Sequence, residues 1–213
     1  DGGGMESGSG VGVQDSERSR MKDQGSIFPT ILSLCDYSGV WSQPYVDGGY
    51  DVRRFDLQRG EDVRLLEFPG KVHGILAAPP CTKFCRPGAR LWEEWGDAGL
   101  LEGLSVIDAC LRLVAVCRPK WWALENPPGR LDKYLGPPAL SWHPWEYGDP
   151  WTKHTYLWGR FNPPAQTPVP PEEYPEHLPA GRRDRTSRMS SSARNERAET
   201  PAGFAKAFYL ANP

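Results

Sequence analysis

The chain has 213 residues, a net charge of −2 and an apolar content of 38%, with 22 prolines and 23 glycines. This length suits one domain with one substantial core. No apolar run approaches the roughly 20 residues that cross a bilayer, and the small net charge argues against a protein that coats nucleic acid non-specifically. The five cysteines, an odd number without a secretory signal, favour reduced thiols in a cytoplasm over a disulfide framework. Their spacings do not match known zinc modules, so no metal site is expected.

The first 26 residues differ in composition from the rest of the chain. They are rich in glycine, serine and charge and have no apolar periodicity. Such a segment cannot bury enough apolar surface to order itself, so residues 1–26 are predicted to be a disordered tail. The remainder, 27–213, is predicted to form a single α/β domain.

The first predicted strand, Thr30–Cys35, is followed by a turn at Ser38-Gly39 and by a helix that begins near Trp41 and ends at paired glycines. A second strand, Tyr50–Asp56, comes next. A strand, a small-residue turn, a helix and a strand ending in an acidic residue outline a nucleotide-type cofactor site. In such a site the backbone approaches the ligand at the turn, and the carboxylate accepts ribose hydroxyls.

Asp62 follows this unit and has two roles open to it. Its carboxylate either accepts a hydrogen bond from an adenine amino group or caps a helical turn, which is the commoner role.

The third predicted strand, Val72–Ala77, stops abruptly at Pro79-Pro80-Cys81. Because prolines cannot continue a sheet ladder, Cys81 is expected just beyond the carboxyl end of the strand. In open α/β sheets this edge carries ligands and chemistry, so Cys81 is a candidate nucleophile. The loop 82–95 that follows is predicted either to close as a lid or to be anchored by Trp92 and Trp95.

A long helix is predicted from Ala98 to Cys117, where leucines and other apolar residues recur at three- and four-residue steps. The fourth strand, Lys120–Leu124, then ends at Glu125-Asn126. Two parallel strands would therefore deliver Cys81 and Glu125 to the same edge of the sheet, and a converging nucleophile and carboxyl acid are a specific signal.

The last part of the chain is less regular. Residues 153–159 alternate like a strand, and Thr200-Pro201 is predicted to open a final helix with Thr200 as its N-cap, docked by Phe204 and Phe208. Between them, 162–198 is rich in proline and arginine. From charge alone, its arginines form either a phosphate-contacting patch or a solvated loop.

The order of these motifs resembles that of the cytosine-C5 DNA methyltransferases, most closely their small phage-type members. Ser38-Gly39, Pro79-Pro80-Cys81, Glu125-Asn126 and a terminal helix carry the resemblance, which covers roughly 31–161 and 190–212. It implies a Rossmann-like, S-adenosyl-L-methionine-dependent methyltransferase sheet with helices on both faces. The segment 162–198 stands where the family has a DNA-reading domain.

The resemblance also implies a chemistry. Cys81 would add as a thiolate to C6 of a cytosine flipped out of DNA, Glu125 would hold or protonate N3, and Asn126 would support that loop. The implied cofactor-binding residues are Tyr37, Ser38, Gly39, Asp56, Asp62 and Pro79, and the implied DNA contacts are Arg86, Lys153, Arg182, Arg183, Arg185 and Arg188.

Two departures from the family pattern keep alternatives open. Trp41 stands where the family has a second glycine, and Lys153-His154 stand roughly where it has an arginine motif. The predicted function is methyl transfer to C5 of cytosine in DNA with low sequence specificity. The alternatives are C5 modification of a free pyrimidine nucleotide, transfer of a different group from a sulfonium donor, and non-catalytic DNA binding. The expected location is a bacterial or phage-infected cytoplasm, with no membrane and no obligate protein partner.

Overall fold

The computed structural model describes residues 28–173 and 198–213, which fold around one mixed sheet. Its strands are β1 (Thr30–Leu34), β2 (Asp51–Phe55), β3 (Gly74–Ala77), β4 (Trp121–Asn126), β5 (Leu140–Trp142) and β6 (Thr155–Arg160). Its α-helices are α1 (Gln43–Asp47), α2 (Trp92–Cys117), α3 (Asp132–Leu135) and α4 (Ala202–Ala211). Short 3₁₀ turns cover Leu57–Arg59, Val63–Leu65, Arg86–Leu91 and Pro144–Tyr147.

The strand order across the sheet is β2-β1-β3-β4-β6-β5. The pairs β1–β2, β1–β3 and β3–β4 are parallel, whereas β6 is antiparallel to both β4 and β5. The order reverses between β1 and β3, since the chain first builds outward to β2 and then returns to the other side of β1. A doubly wound sheet binds ligands outside the carboxyl ends of its strands at this switch point.

Helices cover both faces of the sheet because alternate residues of each strand point to opposite faces. On one face, Leu32, Ile75 and Leu124 pack against Ile107 and the rest of the apolar stripe of α2. On the other face, a second cluster joins the sheet to α1 and α4: Ile31, Leu76, Trp121, Ala123 and Leu157 with Trp41, Tyr45, Phe204 and Phe208. The predicted Rossmann-like α/β class is therefore confirmed.

Several predicted boundaries were wrong by a few residues. The first strand ends at Leu34, because Cys35 takes a left-handed conformation with φ 58°. The fourth strand continues through Asn126 instead of ending at Leu124, so Glu125 lies within the ladder and pairs with Leu157. The long helix begins at Trp92, six residues early, with a break at Gly96.

The C-terminal helix also starts differently from the prediction. Pro201, not Thr200, occupies the N-cap position, and no side chain of the cap residue bonds to the helix. Instead Asp149 accepts a hydrogen bond from the N–H of Gly203 at 2.9 Å. Phe204 and Phe208 are fully buried, as predicted, and Phe204 stacks on Trp142 at 3.7 Å.

The loop after Cys81 is held at two points by cation–π contacts. Lys83 lies over the ring of Trp95 at 4.2 Å, and Arg130 lies over the ring of Trp92 at 4.6 Å. Such contacts contribute about 0.5 to 2 kcal/mol each. Of the two predicted behaviours, the structure favours an anchored loop over a lid.

The described part of the proline-rich segment, 162–173, contains neither helix nor strand. It is hydrogen-bonded to the 3₁₀ turn Pro144–Tyr147. The backbone N–H groups of Thr167 and Val169 donate to the carbonyls of Glu146 and Trp145, respectively, both at 2.9 Å. Within the described ranges, no helix is long and apolar enough to cross a membrane.

Candidate active site

The turn after β1 is organised by one buried carboxylate, Asp36. Its two oxygens accept hydrogen bonds from the hydroxyls of Ser33 at 2.7 Å and Ser42 at 2.9 Å and from the N–H of Gly39 at 2.8 Å. Charge-assisted hydrogen bonds of this kind contribute about 1.5 to 3 kcal/mol each. The turn is therefore fixed before any ligand arrives.

Gly39 is required by the shape of this turn. Its φ is +76°, and a Cβ at this position would collide with the guanidinium of Arg54. Ser38 and Gly39 line a cavity of about 230 Å³, whose other lining residues are Val40, Gln43, Pro44, Ala202 and Ala205. The volume is below the roughly 300 to 1,000 Å³ of small-molecule pockets, so the cavity has room for only part of a nucleoside-sized ligand.

Trp41, which stands where the resembled family has its second glycine, does not line this cavity. Its ring is buried and meets Phe208 of α4 edge to face at 5.8 Å. Trp41 therefore packs in the core behind the turn and does not occupy the cavity.

The other four predicted cofactor residues lie outside the cavity lining. Tyr37 is 47% exposed. Asp56 follows β2 and accepts the N–H of Gln58 at 2.8 Å, and the carbonyl of Pro79 accepts the amide of Asn126 at 2.8 Å. Asp62 caps a 3₁₀ turn and holds the guanidinium of Arg64 at 2.6 Å, so the structure favours its capping role over an adenine contact.

Cys81 begins a tight turn immediately after the two prolines. Its carbonyl accepts the N–H groups of both Phe84 and Cys85 at 2.8 Å, and Phe84 is fully buried beneath the turn. Cys81 is therefore held half-buried beyond the carboxyl end of β3, whose last residue, Ala77, lies beside Leu124 of β4.

Glu125 and Asn126 reach the same edge from β4. Asn126 is fully buried and ties the two strands together through its hydrogen bond to the carbonyl of Pro79, while its own Oδ1 has no partner among the described residues. Glu125 is buried, and its side-chain carboxyl makes no hydrogen bond to them either. The edge thus holds unused polar groups beside the thiol of Cys81.

The electrostatics of this edge centre on two thiols. The pKa of Cys81 is raised well above its usual range because its S–H donates to Cys85, because the group is buried, and because Glu125 is nearby. The accepted hydrogen bond lowers the pKa of Cys85 to about 6. Cys85 is therefore the more acidic of the two thiols.

Burial raises the pKa of Glu125, and Lys153 opposes this shift. Lys153 also acts to lower the pKa of Cys81, so its ammonium lies near both groups. It is held there by a 2.9 Å hydrogen bond to the carbonyl of Glu199. Lys153 therefore belongs to this edge, together with Cys81, Glu125 and Asn126; we call these four residues the cysteine edge.

Arg86, another predicted DNA contact, is exposed at the start of a 3₁₀ turn near His154. Burial lowers the pKa of His154, and the positive charge of Arg86 lowers it further. The ring of His154 stacks on that of His143, with their centroids 4.8 Å apart. Four further predicted contacts, Arg182, Arg183, Arg185 and Arg188, lie outside the described residues.

Sequence reasoning missed three residues of these sites. Asp36 was passed over because it precedes the small-residue turn, although a carboxylate flanked by serines three before and six after is a usable capping signal. Cys85 stands four residues after Cys81, a spacing that one helical turn brings together. Arg54 was treated only as part of a strand.

Comparisons with known proteins give little further information. No protein-family model and no curated protein matches the chain. Among solved structures, it is similar to a protein from E. coli described as a putative DNA modification methyltransferase encoded within a prophage, with 19% identity and a TM-score of 0.46. The match covers 62% of this chain and 46% of that protein, so the chain spans less than half of its length. A similarity of this degree carries no functional information, and function must rest on the site itself.

Proposed function

We propose that the protein transfers a methyl group from S-adenosyl-L-methionine to C5 of cytosine in DNA, through a covalent adduct between Cys81 and C6. The observation that carries the proposal is the convergence of Cys81, Glu125 and Lys153 at the carboxyl edge of two parallel strands. A nucleophile, a proton donor and a cation in one place are the groups that addition to a pyrimidine ring needs.

Glu125 is suited to the acid role. When a sulfur adds to C6 of cytosine, electron density moves toward N3, which then requires a proton. A carboxyl group with a raised pKa keeps its proton nearer to neutral pH and can donate it at N3. Formation of the S–C6 bond and protonation of N3 leave C5 as a nucleophilic carbon.

Cys81 must lose its proton as it attacks. Its S–H donates to Cys85, whose pKa is the lower of the two, so the proton passes to the Cys85 thiolate only as the S–C6 bond forms and uses the electron pair left on Cys81. The ammonium of Lys153 stabilises the negative charge that develops on Cys81. After C5 is substituted, solvent water takes the C5 proton, the S–C6 bond breaks to release the Cys81 thiolate, and N3 returns its proton to the Glu125 carboxylate, which restores the ring.

The turn after β1 is where part of the cofactor fits. The positive φ of Gly39 brings the backbone against the cavity, which Ser38 also lines, and Asp56 follows β2, the strand next to β1. When bound, S-adenosylmethionine supplies an electrophilic methyl carbon on a sulfonium. Asn126 holds the Pro79 segment at a fixed distance from β4, which positions Cys81.

The test is mass spectrometry of the nucleosides released from DNA that has been incubated with the full chain and S-adenosylmethionine. We expect a cytosine that has gained one methyl group, lost in the Cys81→Ala variant. Methylation of free deoxycytidine nucleotides with none in DNA would replace the proposed substrate. Absence of any modified base from both substrates would overturn the proposal.

A further inference from the structure

Arginines around the end of β2 are neutralised by nearby carboxylates, with one exception. The ion pairs there are Arg53 with Asp51, Arg59 with Glu61 and Arg64 with Asp62, at 2.9, 3.6 and 2.6 Å. Arg54, beside the first of these, has neither a carboxylate nor a hydrogen-bond acceptor among residues 28–173 and 198–213. Its charge is uncompensated in the described structure.

The Arg54 side chain does not extend into solvent, although it has no partner among the described residues. Arg54 pairs with Ser33 in the ladder, and its side chain folds back over the turn after β1. A Cβ on Gly39 would lie 3.0 Å from Cζ and 3.3 Å from Cδ of Arg54. The guanidinium therefore covers the glycine that lines the cavity.

Asp36 is the carboxylate nearest to this turn along the chain, but its oxygens already accept hydrogen bonds from other groups. Its oxygens accept the N–H of Gly39 and the hydroxyls of Ser33 and Ser42, and it forms no ion pair with Arg54. The half-buried guanidinium of Arg54 thus keeps five N–H donors that have no acceptor among the described residues. Its planar fork matches a carboxylate in bidentate geometry, which makes an incoming carboxylate the expected partner.

We propose that Arg54 binds the α-carboxylate at the amino-acid end of the sulfonium donor, and so selects donors that carry this group. The inference rests on the proposed function, which supplies a donor with one carboxylate. A DNA phosphate is the other source of an anion. Arg54 covers Gly39, which lines the 230 Å³ cavity between the turn after β1 and Ala202 and Ala205 of α4; a cavity that admits part of a small ligand beside the guanidinium favours the donor.

The test compares two ligands that differ only in the carboxylate. Binding of S-adenosylmethionine and of decarboxylated S-adenosylmethionine to the full chain is measured by isothermal titration calorimetry. For the unmodified protein we expect the carboxylate to strengthen binding by about 10- to 100-fold, the range for a hydrogen bond to a charged group. In Arg54→Met the two ligands should bind alike, and Arg54→Lys should restore part of the difference.

Arg53→Met is the matched control, because Arg53 is adjacent and already paired with Asp51; its ligand preference should remain unchanged. Equal binding of both ligands by the unmodified protein would overturn the inference without any variant. Loss of DNA affinity in Arg54→Met with an unchanged ligand preference would assign the residue to phosphate. Failure of the unmodified protein to bind S-adenosylmethionine at all would overturn the proposed function as well.

Discussion

The turn after β1 and the cysteine edge lie at the same side of the sheet but differ in how their polar groups are satisfied. Around Asp36, three donors fill the carboxylate, and the geometry is complete without a ligand. At the cysteine edge, the Oδ1 of Asn126 and the carboxyl of Glu125 have no hydrogen-bond partner among the described residues.

This difference indicates that the turn after β1 has mainly a structural role, whereas the cysteine edge has polar groups available to a substrate. A buried polar group without a partner costs about 1 to 3 kcal/mol, and such a cost is sustained where a ligand supplies the missing partner. The first region should therefore respond to substitution mainly in stability, and the second mainly in turnover.

The largest expected effect is on turnover at the cysteine edge. Cys81→Ala removes the proposed nucleophile and should lower methyl transfer by about 10⁴-fold or more. The rate is followed by nucleoside mass spectrometry, with S-adenosylmethionine binding measured in parallel and expected to be retained. Cys117→Ala, which changes a thiol at the far end of α2, should leave the rate unchanged. Turnover in Cys81→Ala near that of the unmodified protein would exclude Cys81 as the nucleophile.

Glu125→Gln should lower turnover by about 10²- to 10⁴-fold, because the amide has no proton to donate at N3. The same variant should be more stable at neutral pH. Burial raises the pKa of Glu125, so the folded state binds its proton more tightly than the unfolded chain does, and stability falls as pH rises above the ordinary value of 4.5.

The predicted fall in stability with rising pH is checked by thermal unfolding at a series of pH values. The melting temperature of Glu125→Gln should exceed that of the unmodified protein at about pH 7 and converge with it at about pH 4, where the carboxyl is protonated in both states. A variant that is less stable at neutral pH would show that the charged carboxylate has a stabilising partner.

In the turn after β1, the expected effect is on stability. Gly39→Ala forces alanine into a left-handed φ and brings its Cβ into collision with Arg54. Gly60→Ala is the control, because Gly60 also has a left-handed φ, of +82°, but has open space around it. We expect Gly60→Ala to lower the free energy of unfolding by about 1 kcal/mol and Gly39→Ala by about 1 to 2 kcal/mol, because the guanidinium is the flexible end of its side chain and shifts at small cost. Denaturant titration measures both, and equal losses would mean that Arg54 moves away freely.

The smallest expected effect is a change in thiol reactivity. Cys85→Ala removes the acceptor that raises the pKa of Cys81, so that pKa should fall. Alkylation by iodoacetamide at each pH, mapped by peptide mass spectrometry, should show Cys81 reacting at lower pH in the variant. In the unmodified protein, the group that ionises near pH 6 should be Cys85. An unchanged Cys81 profile would mean that the two thiols do not interact in solution.

The sequence was sufficient to predict the parallel core of the sheet. The apolar runs before Cys81 and Glu125 are each followed within a few residues by a proline pair, and this local signal predicted their common edge, although the end of β4 was predicted two residues too early. The break at Gly96 and the early start of α2 at Trp92 were not predictable, because they depend on contacts of Trp92 and Trp95 with distant residues.

Electrostatic roles were the least predictable from sequence. The nearness of Lys153 to Cys81 follows from the antiparallel pairing of β6 with β4, which residue patterns do not specify. The lack of a carboxylate partner for Arg54 among the described residues likewise depends on which neighbouring carboxylates already pair with other arginines. Both properties arise from tertiary placement, not from local propensity.

The location of α4 has a consequence for the order in which the protein becomes functional during synthesis. The cavity joins Ser38 and Gly39 to Ala202 and Ala205, and the hydroxyl of Tyr45 is bonded to the carbonyl of Asn212 across 167 residues. Contacts this far apart form late, since closing a long loop costs entropy before it gains contacts. A nascent chain can thus form the parallel core of the sheet while the cavity still lacks one wall and Lys153 still lacks its hydrogen bond to Glu199, so both regions are completed only when α4 docks.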